Sequence, residues 1–326
     1  MHFKYWKLMF FIGLSTSIFI TISTFSWLSM WIGLEINMIC IIPLMNNTKN
    51  MYSTESSLKY FIVQAMASSM FLFSIIMTSL NNATYITIIM NSALLIKIGS
   101  APFHFWFPEI MEGQKWPMCL TLLTIQKISP LMLLNYNMNL PLFFMVIVIM
   151  NMLISATMGL NQISLRKILT FSSINHIGWM ITSFMCMKIV WLMYFMVYLF
   201  ILLNIITIFN YHKIYYLKQA IKLSMPMSFK MVFIMNFFSL GGLPPFIGFL
   251  PKWLTIQLMV FQYPLLISIM VILTLMTLFY YIRLMIPSLV MAQTQLKSHV
   301  PMTMKIMFLN YISLFLLPLT WLIFMG

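Results

Sequence analysis

The sequence predicts an all-helical, polytopic membrane protein of about eleven transmembrane helices, built as two inverted repeats of five helices, each with a discontinuous helix, plus one extra C-terminal helix. Three observations carry that expectation. Hydrophobic residues make up 62% of the 326 and charged residues only 7%, where a soluble domain carries about 25% charged residues. Apolar stretches of about 18 residues or more, long enough to cross a bilayer, recur along the chain with no room between them for a soluble domain. Two Gly/Pro motifs also recur at a fixed offset inside apolar segments.

Hydropathy places the spans at 5–24, 27–46, 57–79, 85–108, 116–136, 140–160, 166–187, 190–211, 229–255, 262–286 and 305–325. Lys4 and Lys7 ahead of the first apolar run suggest a signal peptide. The run is too long for one and no small-residue cleavage site follows, so it reads as the first span. Eleven spans collect Lys4, Lys7, Lys49, Lys59, Lys115, Arg166, Lys167, Lys213, Lys218, Lys222, Lys230, Arg283, Lys297 and Lys305 on one face. The opposite loops hold Lys188 and, at most, Lys252. This bias puts the N-terminus on the positive side. The net charge of +14 is then a topology signal, and a nucleic-acid partner is not expected. Cys40, Cys119 and Cys186 are far apart in apolar segments and read as small core residues rather than metal ligands or a disulfide. The 36 methionines suggest an AT-rich organellar genome and point to mitochondria.

The repeated motifs are "GSAPFHFWFPE" (99–109) and "GLPPFIGFLPK" (242–252). Both have Gly first, Pro-Phe at the fourth and fifth positions and Pro at the tenth, at an offset of 143 residues. They fall in the fourth and ninth spans. An odd separation sends the two copies through the membrane in opposite directions, and broken helices in inverted repeats mark ion-coupled transport folds. The repeats would cover about 1–137 and 140–287 of a single membrane domain, 1–326, with 305–325 left over. A continuous helix from Phe229 to Gln262 would run roughly 50 Å, against a hydrocarbon core of about 30 Å. Two half-helices fit that length; one helix kinked by proline with an interfacial segment is the alternative.

Charge at the centre of a bilayer costs about 2.5–3.5 kcal/mol on insertion scales, so the intramembrane ionisable groups carry the functional information. Glu35, in "MWIGLEINM", lies mid-span with no local partner, whereas Glu55 pairs with Lys59 one helical turn on. Lys127, in "LTIQKISPL", is too deep to snorkel to an interface. Lys97 stands two residues before the Gly of the first break, and Lys252 ends the second. Burial disfavours a charged lysine and a nearby carboxylate restores it, so such a lysine can serve as a proton relay. For Lys252 a plain helix-end anchor is the alternative. His176 lies mid-span among Ser172, Ser173 and Asn175 and can pass protons along that seam, or simply pack there; His104, just after the first break, is a weaker candidate. No histidine spacing suits a metal or haem, and no phosphate-binding loop or dinucleotide fingerprint is present. The basic loop "YHKIYYLKQAIKLSMPMSFK" reads first as positive-side anchoring, with anionic lipid, cardiolipin among them, as a partner.

The stretches "WIGLEINM", "STESSLKYF", "LIKIGSAPFHFWFPE", "QKISPL", "GLNQISLRKILTFSSINHIGWM" and "LGGLPPFIGFLPKW" resemble, in order and spacing, the subunit 2 family of mitochondrial NADH:ubiquinone oxidoreductase, respiratory complex I, and look most similar to its insect members. That family is antiporter-like and lies in the membrane arm of the complex. The resemblance implies proton translocation driven by electron transfer from NADH to ubiquinone. It also implies a multi-pass place in the mitochondrial inner membrane, N-terminus toward the matrix and C-terminus toward the intermembrane space. Neighbouring membrane-arm subunits, antiporter-like ones included, are the implied partners. No cofactor is implied in this chain; FMN, iron–sulfur clusters and ubiquinone would belong to other subunits. By the same resemblance Glu35 and Lys97 form a charge pair that modulates a central relay at Lys127, followed by His176 and by Lys252 on the exit side. Two rival readings use the same residues: a stand-alone cation/proton antiporter, and a purely structural membrane-arm subunit.

Overall fold

The computed structural model describes residues 5–46, 50–80, 84–221, 227–244 and 246–290. Within them run fourteen helices: α1 (Tyr5–Ser23), α2 (Trp27–Met45), α3 (Met51–Leu80), α4 (Thr84–Ile98), α5 (Trp106–Gly113), α6 (Trp116–Leu123), α7 (Ile125–Tyr136), α8 (Pro141–Leu160), α9 (Leu165–Cys186), α10 (Lys188–His212), α11 (Leu217–Ile221), α12 (Met227–Gly241), α13 (Phe249–Met259) and α14 (Pro264–Val290). The first ten expected spans each correspond to one helix or to two consecutive half-helices. The eleventh, 305–325, lies outside the described residues. By length and composition seven helical segments among the described residues can cross a bilayer. The chain divides into two compact units, Met1–Phe143 and Phe144–Gly326.

In the first unit α1 and α2 form a tight hairpin. Ser26 caps α2 by accepting from the Ser29 N–H at 3.3 Å. The helices approach closely because glycine faces them at both ends. A Cβ on Gly13 would stand 2.7 Å from the Cys40 sulfur, and one on Gly33 would overlap the Thr21 methyl and lie 3.2 Å from the Ser17 carbonyl oxygen. Small residues substitute here for the hydrophobic drive that helix pairs lack in lipid. Gly33→Ala is therefore expected to cost about 1–3 kcal/mol by overpacking, read as a lower thermal-inactivation temperature of the assembled protein.

α3 starts at Met51, six residues before the span read from hydropathy at 57. Its first turns are too polar for the hydrocarbon but still helical. Ser53, Ser56 and Ser57 donate their hydroxyls to the carbonyls of Asn50, Ser53 and Thr54. α3 then packs along both halves of the broken fourth span, α4 and α5. α4 ends in a left-handed glycine cap. Gly99 has φ +76°, its N–H reaches Leu95 and Ile96, and the Ser100 N–H returns to Leu95 at 3.1 Å. Such a cap satisfies helix-end carbonyls that membrane-depth backbone cannot leave open. The fifth span, expected to be continuous over 116–136, is also interrupted: Thr124 leaves helical geometry with φ −120° and ψ −74°, separating α6 from α7.

In the second unit α9 is central. Every residue from Ile168 to Phe184 is buried, so this helix meets protein on all sides although its sequence is the most polar of the long helices. α10 packs along both α12 and α13, as α3 does along the two halves of its own broken partner. α12 ends in the same cap: Gly242 has φ +78°, its N–H reaches Phe238 and Ser239, and the Leu243 N–H returns to Phe238 at 3.3 Å. Beyond the break, Gly248 sits where a Cβ would overlap the Ser239 carbonyl oxygen. Arg283 donates to the Leu160 carbonyl at 2.7 Å, closing the C-terminus of α8.

Candidate functional site

The first unit gathers Glu35, Lys97 and Lys127. Glu35 stands mid-α2, part-buried, with its Oε1 out of water and without a hydrogen-bond partner. Lys97 occupies the last turn of α4, just before the glycine cap, 7% exposed and within the field of the Glu35 carboxylate. Its backbone carbonyl accepts from Gln64 Nε2 of α3 at 3.3 Å. Glu35 and Lys97 form no ion pair closer than 4 Å, whereas Lys59 pairs with Glu55 and with Glu109, each at 3.0 Å. Glu35 and Lys97 thus interact through space without a locked contact. The Glu55–Lys59 pair expected from its spacing is present, and Glu109 of α5 joins it.

Lys127 is 2% exposed, and its Nζ has no hydrogen-bond partner. The ammonium lies 5.0 Å from the centre of the Phe107 ring on α5, a cation–π contact across the first broken span. α4 is held to α7 by a reciprocal amide pair. Asn91 donates to the Asn137 carbonyl at 3.3 Å, and Asn137 Nδ2 donates to Asn91 Oδ1 at 2.8 Å. A second polar seam crosses α3, α7 and α2. Tyr60 donates to Gln126 Oε1 at 3.2 Å, Gln126 Nε2 to Asn37 Oδ1 at 3.0 Å, and Asn37 Nδ2 to Ser129 Oγ at 3.3 Å. His104 is buried in the break loop with Nδ1 3.3 Å from the Pro102 carbonyl.

The second unit gathers His176 and Lys252. His176 is buried on α9, with Nδ1 2.8 Å from the Tyr194 hydroxyl and its ring 4.8 Å from that of Tyr198. Asn175 donates to Thr277 Oγ1 at 3.0 Å. Lys252, 5% exposed, reaches back across the break and donates to the Gly241 carbonyl at 2.9 Å. Its ammonium also stands 5.9 Å from the Trp179 ring, one turn along α9 from His176. A helix-end anchor at an interface would leave its head in water; Lys252 instead satisfies a carbonyl that the break exposes, at the negative end of α12.

Reading the sequence singled out the ionisable groups but not their neutral neighbours Asn37, Tyr60, Gln64, Gln126 and Tyr194. The available signal was the amide at mid-span, two residues after Glu35 and one before Lys127. Among the described residues no group of His, Cys, Asp and Glu could hold a metal ion, and Cys40, Cys119 and Cys186 are not joined in disulfides.

Paired unit architectures, a capped break in the fourth span of each, and lysines buried beside those breaks define a membrane subunit of the antiporter type. The family described as "NADH:quinone oxidoreductase/Mrp antiporter, TM" matches residues 24–88 and 77–277. The NADH-ubiquinone oxidoreductase chain 2 of Anopheles gambiae is 50% identical over 276 residues, covering 81% of this chain and 80% of the relative. That of Aedes aegypti is 47% identical over 285 residues, covering 84% and 83%. Respiratory complex I from Thermus thermophilus contains a chain of the same fold, with a TM-score of 0.82 at 19% identity, over 97% of this chain and 80% of that one. The chain belongs to the NADH-ubiquinone oxidoreductase chain 2 family.

Proposed function

We propose that this chain carries protons across the mitochondrial inner membrane as an antiporter-like subunit of respiratory complex I, driven by NADH-to-ubiquinone electron transfer in other subunits. The observation that carries the reading is Lys127: a lysine withdrawn from water with no hydrogen bond to its Nζ. A group so placed contributes little to folding and is costly to hold as a cation. Its value lies in a proton that it can release and regain.

Glu35 and Lys97 set the field in which Lys127 works. Because they interact without a locked ion pair, a small shift of α2 changes how strongly the carboxylate compensates the lysines. When that compensation weakens, the Lys127 proton passes on, toward His176 and then Lys252. His176 hands it along its hydroxyl-rich surroundings. Lys252 holds it against the Gly241 carbonyl until release. The two units are read as the inverted repeats, about 1–137 and 140–287, with the N-terminus on the matrix side and the C-terminus toward the intermembrane space. Neighbouring membrane-arm subunits cover the outer faces, with anionic lipids such as cardiolipin against the basic loops. FMN, iron–sulfur clusters and ubiquinone are assigned to other subunits.

Two measurements test this. On a native gel of mildly solubilised membranes the chain is expected in the large band that stains for NADH dehydrogenase activity. Migration as a small inactive species would instead support a stand-alone antiporter, to be followed by cation flux. In the assembled enzyme, Glu35→Gln is expected to slow the proton step by about five-fold or more, read as pumping into sealed vesicles at matched NADH oxidation. Unchanged pumping would remove Glu35 from the relay.

A further inference from the structure

The relay residues are ionisable, but the helix of Glu35 and the helix of Lys127 are linked by neutral side chains. Gln126 immediately precedes Lys127 on α7, and Asn37 follows Glu35 by two residues on α2. Successive helical positions diverge by about 100°. Lys127 can therefore face Phe107 of α5 while Gln126, next to it, faces α2. The bonds run in one direction: Tyr60 hydroxyl to Gln126 carbonyl oxygen, Gln126 amide to Asn37 carbonyl oxygen, Asn37 amide to Ser129 hydroxyl. Asn37 is 3% exposed and Ser129 fully buried, so losing one partner leaves the other unsatisfied in a dry interior.

The interruption at Thr124 gives this seam its leverage. α7 begins at Ile125, so its first turn, with Lys127, is not a rigid continuation of α6. Gln126 and Ser129 fix that turn to α2 at two points on one helical face. None of the four groups titrates in the working range, so the seam transmits position rather than charge. On the reading that Lys127 is the relay, we propose that the Asn37–Gln126 amide pair is its positioning element. The pair ties the first turn of α7 to the helix of Glu35, so that movement of α2 is felt as movement of Lys127.

The test uses the assembled enzyme in sealed vesicles and reads protons pumped per NADH oxidised. Asn37→Leu and Gln126→Leu are each expected to lower that ratio by cutting this subunit's contribution to it about two-fold or more. The double Leu variant should lose no more than either single one, as for two partners in one interaction. The exchange variant Asn37→Gln with Gln126→Asn keeps one amide on each helix and the same number of side-chain carbons; it should recover most of the ratio. Single variants that pump at the parental ratio would overturn the proposal. So would an exchange variant that assembles but recovers nothing, since the amides would then serve packing alone. Should the Leu variants fail to assemble, Gln126→Met, which keeps the length without the hydrogen bonds, and the exchange variant decide by the same criteria. Lys127→Met is run alongside. Normal pumping there overturns the relay reading itself, whereas loss there with unaffected amide variants overturns only the positioning role.

Discussion

Lys127→Met is expected to do two opposite things. Proton transfer through this subunit should fall by about 10²-fold or more, the scale of losing an essential proton-transfer group. The assembled protein should meanwhile be at least as stable as the parent. Lys127 is 2% exposed, with a cation–π contact to Phe107 as the described interaction of its ammonium. An insertion cost of about 2.5–3.5 kcal/mol for a charged residue at membrane depth is only partly offset by a ring contact of about 2 kcal/mol when desolvated. Methionine fills a similar volume without that cost. The measurement pairs pumping into vesicles at matched NADH oxidation with thermal inactivation on the same preparation. A fall in pumping with unchanged or raised heat stability marks a residue retained for function at the expense of stability. Equal loss of both would make Lys127 a packing residue, and unchanged pumping would end the relay reading.

Gly248→Ala is expected to have the largest effect on stability. A Cβ there would overlap the Ser239 carbonyl oxygen, which is backbone and cannot rotate away. Relief requires pushing α12 from the start of α13, at a cost of about 3 kcal/mol or more, enough to deplete assembled protein. Two nearby glycines grade the claim. At Gly242 the added methyl would meet Lys252 Cδ at 2.7 Å on a backbone with φ +78°, so alanine there is strained and also displaces the lysine. At Gly241 the nearest atom would be 3.5 Å away, an ordinary contact with Leu278, and alanine should be accepted. The expected order of assembled complex on a native gel is therefore Gly241→Ala above Gly242→Ala above Gly248→Ala. A Gly248→Ala chain that assembles like the parent would show that the break does not hold α12 and α13 in contact.

Much of this architecture is legible in the sequence because membranes leave few choices. Spans are legible because each must carry enough apolar residues to cross the core, and the breaks because Gly and Pro at membrane depth need a special backbone. The aligned motifs even locate both glycine caps, Gly99 and Gly242. The ionisable residues do not follow that alignment. At the offset of 143 residues Lys97 corresponds to Leu240, and Glu109 to Lys252. The repeat thus supplies two similar breaks, with one lysine placed before its glycine and the other after.

The all-helical membrane class, the candidate proton carriers and the places where two helices must break are all written along the chain, since each follows from the cost of burying charge or open backbone in lipid. What those groups touch depends on the three-dimensional packing. It turned Lys252 back onto the Gly241 carbonyl, set Lys127 against Phe107, opened the fifth span at Thr124 and joined Asn37 to Gln126 across 89 residues of chain. Neutral amides carry no charge signature along a sequence, and a one-residue interruption leaves hydropathy unchanged. Both acquire meaning only when packing fixes which faces of neighbouring helices meet.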